Sequence, residues 1–261
     1  MALKPAIYRV KMVNRSSVVL IPGLLCTADL YRSQIEALPP GTVTVADTVS
    51  DDSIEAMAGR LLADAPERFV LCGLSMGGYV ALEVARRAPE RVAALALVAT
   101  SARPDSPEQT AVRRRLVALG YDRGIEAVAE ALCPRLLGPE ARNDRDLRDR
   151  VVAMAQAVGI ETFARQQAVI IGRADQRPTL PQLAMATQVL VGTADEIIPV
   201  ECSQELAAAI PQAVLTTIPG KGHLLSMEAP DVLTKLLGEL LSAGSQALRP
   251  AAAQLDAGPN M

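Results

Sequence analysis

One stretch of the sequence, residues 69–87, strongly restricts the folds that this chain can adopt. An apolar run typical of buried strands, Phe69 to Cys72, leads into Gly-Leu-Ser-Met-Gly-Gly at 73–78. A segment with helical spacing follows from Tyr79 to Arg87. The glycines leave room for the strand and the helix to pass closely around Ser75. This is the pattern of a nucleophile elbow, a turn that holds one serine in strained backbone geometry.

Short strands and helices alternate along most of the chain. The sequence predicts buried strands at Val18 to Ile21, Phe69 to Cys72 and Val92 to Val98, and further strands at Thr42 to Ala46, Thr187 to Val191 and Ala213 to Ile218. A mixed segment from Ile7 to Val13 is expected to form an edge strand. Between the runs we predict helices, one capped by Asp29 and another by Ser53. Regular alternation predicts an α/β fold with a mostly parallel, doubly wound sheet.

The alternation is interrupted between residues 102 and 183. This segment has no convincing strand, and its helical stretches are Glu108 to Leu119, Gly124 to Leu132, Asp144 to Val158 and Ile160 to Gly172. We predict a helical cap of residues 102–183, inserted after the strand near residues 92–98 and covering the carboxyl-terminal edge of the sheet. A separate helical domain is the less favoured alternative, because neither boundary carries a long linker.

The predicted cap divides the core into two segments of sequence. Residues 1–101 and 184–244 are expected to form the core, which ends with a helix near Asp231 to Leu241. Residues 245–261 have the composition of a disordered tail.

Composition excludes several classes of protein. A net charge of −3 argues against a nucleic-acid binder, and no apolar stretch reaches the roughly 18 residues of a membrane span. Four widely spaced cysteines, without a C-x-x-C pair, are typical of free thiols in a reducing compartment. Because a signal peptide is also absent from the first residues, we expect a soluble cytoplasmic protein.

Three residues that could cooperate chemically each follow a strand. Ser75 lies at the elbow, Asp195 lies in Gly-Thr-Ala-Asp, and His223, the single histidine, lies in Gly-Lys-Gly-His. The carboxyl ends of parallel strands meet at one edge of a sheet, so these side chains are expected to converge. A serine hydroxyl needs a base to take its proton, and a buried carboxylate can orient a histidine for that task. Glu196 and Asp175 are the alternative acids.

Four motifs in this order resemble the α/β-hydrolase superfamily, specifically its capped, serine esterase-like members. They are Pro-Gly-Leu-Leu at 22–25, Gly-Leu-Ser-Met-Gly-Gly at 73–78, Gly-Thr-Ala-Asp-Glu-Ile-Ile-Pro at 192–199 and Gly-Lys-Gly-His at 220–223. The resemblance covers about Val18 to Leu241. It implies that Ser75 is the nucleophile, that His223 is the general base and then acid, and that Asp195 is the orienting carboxylate.

The resemblance also implies an oxyanion hole made of two backbone N–H groups. One is expected from Met76, which follows the nucleophile, and the other from Leu24, with Leu25 as the alternative donor. Relatives commonly carry His-Gly where this chain has Pro22-Gly23. The departure removes a side chain that often braces the loop but leaves a backbone donor available.

The expected substrate is a small aliphatic ester. Four apolar residues flank the motifs and are predicted to bind it: Leu25, Ile197, Ile198 and Leu224. The sequence predicts no cofactor, and one histidine with scattered cysteines cannot build a zinc site. A lactonase, thioesterase, C–C bond hydrolase, acyltransferase or cofactor-free perhydrolase could use the same residues, and a non-catalytic small-molecule receptor is the alternative of another class. The oligomeric state stays open.

Overall fold

The computed structural model describes residues 17–247. Its strands form one sheet in the order β2-β1-β3-β4-β5-β6, and every neighbouring pair is parallel. The strands are β1 (Ser17–Ile21), β2 (Val43–Val45), β3 (Phe69–Leu74), β4 (Val92–Val98), β5 (Ala186–Gly192) and β6 (Val214–Ile218). The predicted α/β fold with a parallel sheet is confirmed. The predicted edge strand from Ile7 to Val13 lies outside the described residues.

Helices cover both faces of this sheet. They are α1 (Arg32–Ala37), α2 (Ile54–Asp64), α3 (Met76–Arg87), α4 (Pro107–Arg123), α5 (Ile125–Leu136), α6 (Arg145–Ile171), α7 (Val200–Ala209), α8 (Leu225–Glu228) and α9 (Pro230–Ala247). Successive strand residues point to opposite faces, so Val19 and Ile21 belong to one apolar cluster with residues of α2, α3 and α7, whereas Val18 and Leu20 belong to a second cluster with residues of α9. The central strands β1, β3 and β4 are therefore buried on both sides, as their apolar sequences predict.

Helices α4, α5 and α6 occupy the segment 102–183, which we call the helical insertion. Ser106 starts α4 with a capping box, in which its side chain and that of Gln109 each bind the other's backbone N–H. Gly159, at φ 75°, breaks α6 into the two helical stretches that the sequence predicts. The insertion has a small apolar cluster of its own, and Leu25 from the loop after β1 joins it.

Two details at helix ends differ from the prediction. Thr27, not Asp29, caps the first helical turn: its side chain accepts a hydrogen bond from the Asp29 backbone N–H, and the turn is a 3₁₀ helix (Ala28–Tyr31) leading into α1. The Asp29 carboxylate instead binds Arg150, 121 residues away, with Nε to Oδ2 at 2.8 Å.

The last helix is longer than predicted. Helix α9 continues to Ala247 and so includes the first three residues of the predicted tail, because no glycine or proline interrupts Ser245 to Ala247. Residues 248–261 of that tail lie outside the described part of the chain. Within residues 17–247, no helix has the length and apolarity that crossing a bilayer requires.

Candidate active site

Ser75 occupies the tight turn between β3 and α3. Its backbone angles, φ 56° and ψ −116°, lie outside the regions that residues with a side chain ordinarily adopt. Three hydrogen bonds hold this conformation: the Ser75 N–H donates to Val98 O at 3.0 Å, and Ser75 O accepts from Gly78 N at 2.9 Å and from Thr100 Oγ1 at 2.8 Å. A strained residue of this kind costs about 1–3 kcal/mol and persists only when its surroundings fix it.

Glycines are required where strand, helix and loop cross at this turn. A Cβ added to Gly73 would overlap the backbone of Gly77, and one added to Gly77 would overlap the carbonyl of Ile21. The close approach keeps the amino-terminal end of α3 directly behind the serine. Ser75 itself is partly exposed although both of its neighbours are buried.

His223 and Asp195 form a buried pair at the same edge of the sheet. His223 Nδ1 lies 2.8 Å from Asp195 Oδ2, and the two side chains are 3% and 0% exposed. The other carboxylate oxygen of Asp195 accepts from the backbone N–H groups of Ile197 at 2.8 Å and Ile198 at 3.0 Å. These partners fix the carboxylate, which in turn orients the ring so that Nε2 is the nitrogen left for other chemistry.

The carboxylates of the two alternative acids pair with arginines and not with His223. The Glu196 carboxylate is 51% exposed and pairs with Arg142, and the Asp175 carboxylate pairs with Arg177 at 2.6 Å. Among the three acids considered, the structure brings only Asp195 to the histidine.

The loop after β1 is held by a residue of the helical insertion. Leu25 has φ 58°, and its backbone N–H donates to Gln166 Oε1 at 3.1 Å. Gln166 Nε2 donates in turn to Thr48 O at 3.0 Å, so both ends of this buried amide are bonded. The Leu25 N–H is thereby occupied. Within residues 17–247, no group accepts a hydrogen bond from the N–H of Leu24 or Met76, the two predicted donors.

The histidine loop is also tied to the helical insertion. Leu136 O, at the end of α5, accepts from His223 N at 2.9 Å and from Leu224 N at 3.3 Å. Glu228 Oε2 accepts from Gly222 N at 3.1 Å and from Gly138 N at 2.8 Å, which joins the same two segments a second time. The position of His223 therefore depends on contacts with both the core and the insertion.

A cavity of about 280 Å³ opens at this edge. Ser75 and His223 both line it, together with Leu24, a predicted oxyanion donor, and the four apolar residues predicted to bind substrate: Leu25, Ile197, Ile198 and Leu224. Met76 is fully buried beneath the serine. Leu132 and Met154 of the helical insertion complete part of the wall. The cavity is thus mainly aliphatic, and its wall comes from both parts of the chain.

The cysteines near the site are poor nucleophiles. Burial raises the pKa of the Cys26 and Cys72 thiols to about 12, so both stay protonated at neutral pH. Among the described residues, no group of three or more His, Cys, Asp or Glu side chains could hold a metal ion. Ser75 and His223 both line the cavity, so a serine hydroxyl and an imidazole are available in the same space.

Four polar residues around the cavity were not predicted from the sequence. Gln166 and Glu228 hold the two loops described above, while Arg113 and Gln167 form part of the cavity wall. Their partners lie far away in sequence, and Gln166 contacts Leu25 across 141 residues. Arg113 is half-buried, whereas the next two residues of α4, Arg114 and Arg115, are exposed.

Comparison with known proteins gives consistent matches over most of the chain. A model of the family described as Alpha/beta hydrolase family matches residues 18–236. The pimeloyl-acyl-carrier-protein methyl ester esterase of Aromatoleum aromaticum is 27% identical over 88% of this chain and 99% of that protein. RutD of Klebsiella pneumoniae subsp. pneumoniae, provisionally named a carbamate hydrolase, is 31% identical over 73% of this chain and 74% of RutD.

The fold has close counterparts among solved structures. A thermophilic esterase from Thermogutta terrifontis, whose structure is described as malate-bound, is 33% identical. The match covers 88% of this chain and 90% of that one, with a TM-score of 0.78.

Proposed function

Because the chain belongs to the alpha/beta hydrolase family, we propose that it is a serine hydrolase that cleaves carboxylic esters of small aliphatic substrates. The relatives support hydrolase activity, and two of those compared are named esterases. The single observation that carries the proposal of a serine esterase is the cavity. Its lining is mainly aliphatic and includes the strained Ser75 together with His223, which is hydrogen-bonded to the buried Asp195.

Acylation starts at Ser75. Its Oγ attacks the ester carbonyl carbon while His223 Nε2 takes the hydroxyl proton, and the Asp195 carboxylate stabilises the imidazolium that forms. The negative charge that develops on the carbonyl oxygen is met by the N–H groups of Leu24 and Met76, which make no competing hydrogen bond within residues 17–247. The imidazolium then gives its proton to the departing alcohol, which leaves an acyl group on Ser75.

Deacylation repeats these steps with water. His223 takes a proton from a water molecule, whose oxygen attacks the acyl carbon, and the same two N–H groups stabilise the second tetrahedral intermediate. Collapse of that intermediate returns the proton from His223 to Ser75 Oγ and releases the carboxylic acid. The atoms of one ester and one water become one acid and one alcohol.

We propose that the helical insertion acts as a cap that sets substrate size. Leu132 and Met154 lie on the cavity wall, whereas the serine and its partners belong to the sheet core. Side chains on this wall can change its shape while the backbone of residues 136–138 continues to hold His223 in place.

A matched pair of experiments tests the proposed function. The wild-type protein should hydrolyse p-nitrophenyl acetate and butyrate, and a sulfonyl fluoride should inactivate it with one adduct at Ser75. Ser75→Ala should lower kcat by roughly 10⁶-fold with an unchanged melting temperature, because only one hydroxyl is lost. A Ser75→Ala protein that keeps more than a few per cent of the activity, or an adduct at another residue, would refute the proposal.

The same assay separates an enzyme from a receptor. If the wild-type protein binds esters without turning them over, the chain is a receptor built on a hydrolase fold. A panel of esters, lactones, thioesters and carbamates at equal concentration then ranks the acyl substrates by kcat/KM.

A further inference from the structure

Part of the cavity wall is polar and has an unused hydrogen-bond donor. Arg113 of α4 and Gln167 of α6 both line the cavity, and Arg113 Nη1 donates to Gln167 Oε1 at 3.1 Å. A guanidinium has only donors, so Oε1 must be the acceptor and the orientation of the amide is fixed. Gln167 is 1% exposed, and its Nε2 has no partner among the described residues. A buried donor without an acceptor is uncommon in folded proteins.

The same wall carries an excess of positive charge. The Asp105 carboxylate binds two guanidiniums, with Oδ1 3.0 Å from Arg113 Nε and 2.9 Å from Arg173 Nη1. The side chains of Asp105, Arg173 and Arg113 are 1%, 5% and 17% exposed, so water screens this cluster weakly. One negative and two positive groups leave one uncompensated positive charge, and Arg113 is the member that lines the cavity.

The other charged side chains of the wall do not cancel this charge. Glu108 is exposed in the first turn of α4, where its carboxylate accepts from Ser106 Oγ at 2.8 Å. Arg135 adds a further positive charge and donates to Glu196 O at 2.6 Å. The buried part of the polar wall is therefore cationic and rich in donors.

We propose that Arg113 and Gln167 form a subsite for a carboxylate carried by the substrate's acyl group. The inference rests on the proposed function: the ester carbonyl lies at Ser75, and a second, ionised carboxyl group at the far end of a short aliphatic acyl chain accepts from Gln167 Nε2 and from the Arg113 guanidinium. The substrates are then monoesters of short dicarboxylic acids. A carboxylate supplies both the missing acceptor and the missing negative charge, and charge-assisted bonds of this kind favour it about 10- to 100-fold over a neutral end group.

Pairs of esters that differ only in their end group measure the expected preference for a carboxylate. The p-nitrophenyl monoesters of dicarboxylic acids with four to eight carbons are compared with esters of equal length that end in a methyl ketone, which has an acceptor oxygen but no charge. For at least one length, the wild-type enzyme should show a kcat/KM for the carboxylate ester that is at least about 10-fold higher. Equal kcat/KM values at every length would overturn the proposal.

Two variants and one control test whether Arg113 and Gln167 cause the preference for carboxylate esters. Gln167→Glu keeps an acceptor for Arg113 Nη1 and puts a second oxygen in place of Nε2, so it should abolish the preference by lowering kcat/KM at least about 10-fold more for the carboxylate ester than for the ketone ester. Arg113→Gln should do the same. Arg115→Gln removes the same charge from an exposed position of the same helix and should leave the ratio unchanged. Equal effects of Gln167→Glu and Arg115→Gln would refute a specific subsite.

A binding measurement distinguishes failure of the subsite from failure of the proposed function. Calorimetry with the Ser75→Ala protein should show that monomethyl adipate binds more tightly than dimethyl adipate, and that Gln167→Glu removes the difference. Turnover of neutral esters without this difference would retain the esterase and overturn the subsite. If monomethyl adipate binds more tightly but the wild-type protein turns over no ester, the subsite is supported and the proposed function is overturned.

Discussion

Replacing Gln166 by leucine should damage catalysis from a position that does not line the cavity. The leucine has a similar volume but removes both hydrogen bonds of the buried amide, the one from Leu25 N at 3.1 Å and the one to Thr48 O at 3.0 Å. The first bond holds Leu25 at φ 58° and so fixes the loop in which Leu24 presents its N–H. Without it, the loop is free to relax towards ordinary backbone angles.

The two hydrogen bonds of Gln166 allow the expected losses of stability and of kcat to be estimated. Leaving the Leu25 N–H and the Thr48 carbonyl unpaired should cost about 1–3 kcal/mol each, a large part of the roughly 5–15 kcal/mol that stabilises a typical domain. Misplacing one oxyanion donor should lower kcat by about 10²- to 10³-fold and change KM little, because the donor acts mainly in the transition state.

Thermal unfolding and steady-state kinetics with p-nitrophenyl butyrate measure the two effects separately. Gln166→Glu is the matched control, because one carboxyl oxygen still accepts from Leu25 N, and it should keep kcat within about tenfold of the wild-type value. A Gln166→Leu protein with a lowered melting temperature but normal kcat would show that the bond to Leu25 does not support catalysis. An equal loss of kcat in both variants would assign the effect to the bond with Thr48.

Three further predictions concern the acid, a buried ion cluster and the cavity wall. Asp195→Asn should lower kcat on the order of 10⁴-fold by leaving His223 in the wrong tautomer, whereas Glu196→Gln should have little effect; the reverse result would mean that the acid is misassigned. Burial alone would raise the pKa of Asp105, but hydrogen bonds from two arginines hold it below its usual range. The stability gained is therefore present above about pH 4 and lost as the pH falls through the lowered pKa, so the melting temperatures of wild type and Asp105→Asn should converge between pH 5 and pH 2, and a constant difference would contradict this reasoning. Leu132→Ala should shift the preferred acyl length upwards while the rate of sulfonyl fluoride labelling at Ser75 stays the same, and proportional losses in both would argue against a cap that sets substrate size.

The sequence predicts the parts of the site that depend on local backbone geometry. Ser75, Asp195 and His223 are each found because glycines mark a tight turn after an apolar strand, and such a turn leaves a signature within a few residues. The centre of the sheet is predictable for the same reason, since β1, β3 and β4 are short and almost entirely apolar. The sequence leaves Glu196 as an alternative to Asp195, and the structure shows that these neighbours have different partners, His223 for Asp195 and Arg142 for Glu196.

Contacts between distant segments leave no such signature. Gln166 and Gln167 are two adjacent glutamines in a helix, and nothing nearby in the sequence indicates that one braces a loop and the other lines a cavity. The Asp29 prediction was wrong for a related reason. Local rules favour an aspartate as a helix cap, but the ion pair with Arg150 engages this carboxylate and the neighbouring threonine caps instead.

The bonds between the histidine loop and the end of α5 limit how this protein can be recombined with its relatives. Leu136 O binds the backbone of His223, and Glu228 bridges Gly222 to Gly138. Residues 136–138 belong to the insertion by sequence, but they contact the loop that carries His223, the proposed general base. A chimera that exchanges the whole insertion would also exchange this support of His223. Grafts that keep residues 136–138 and replace only the cavity-facing turns of α4, α5 and α6 would keep that support and alter the wall.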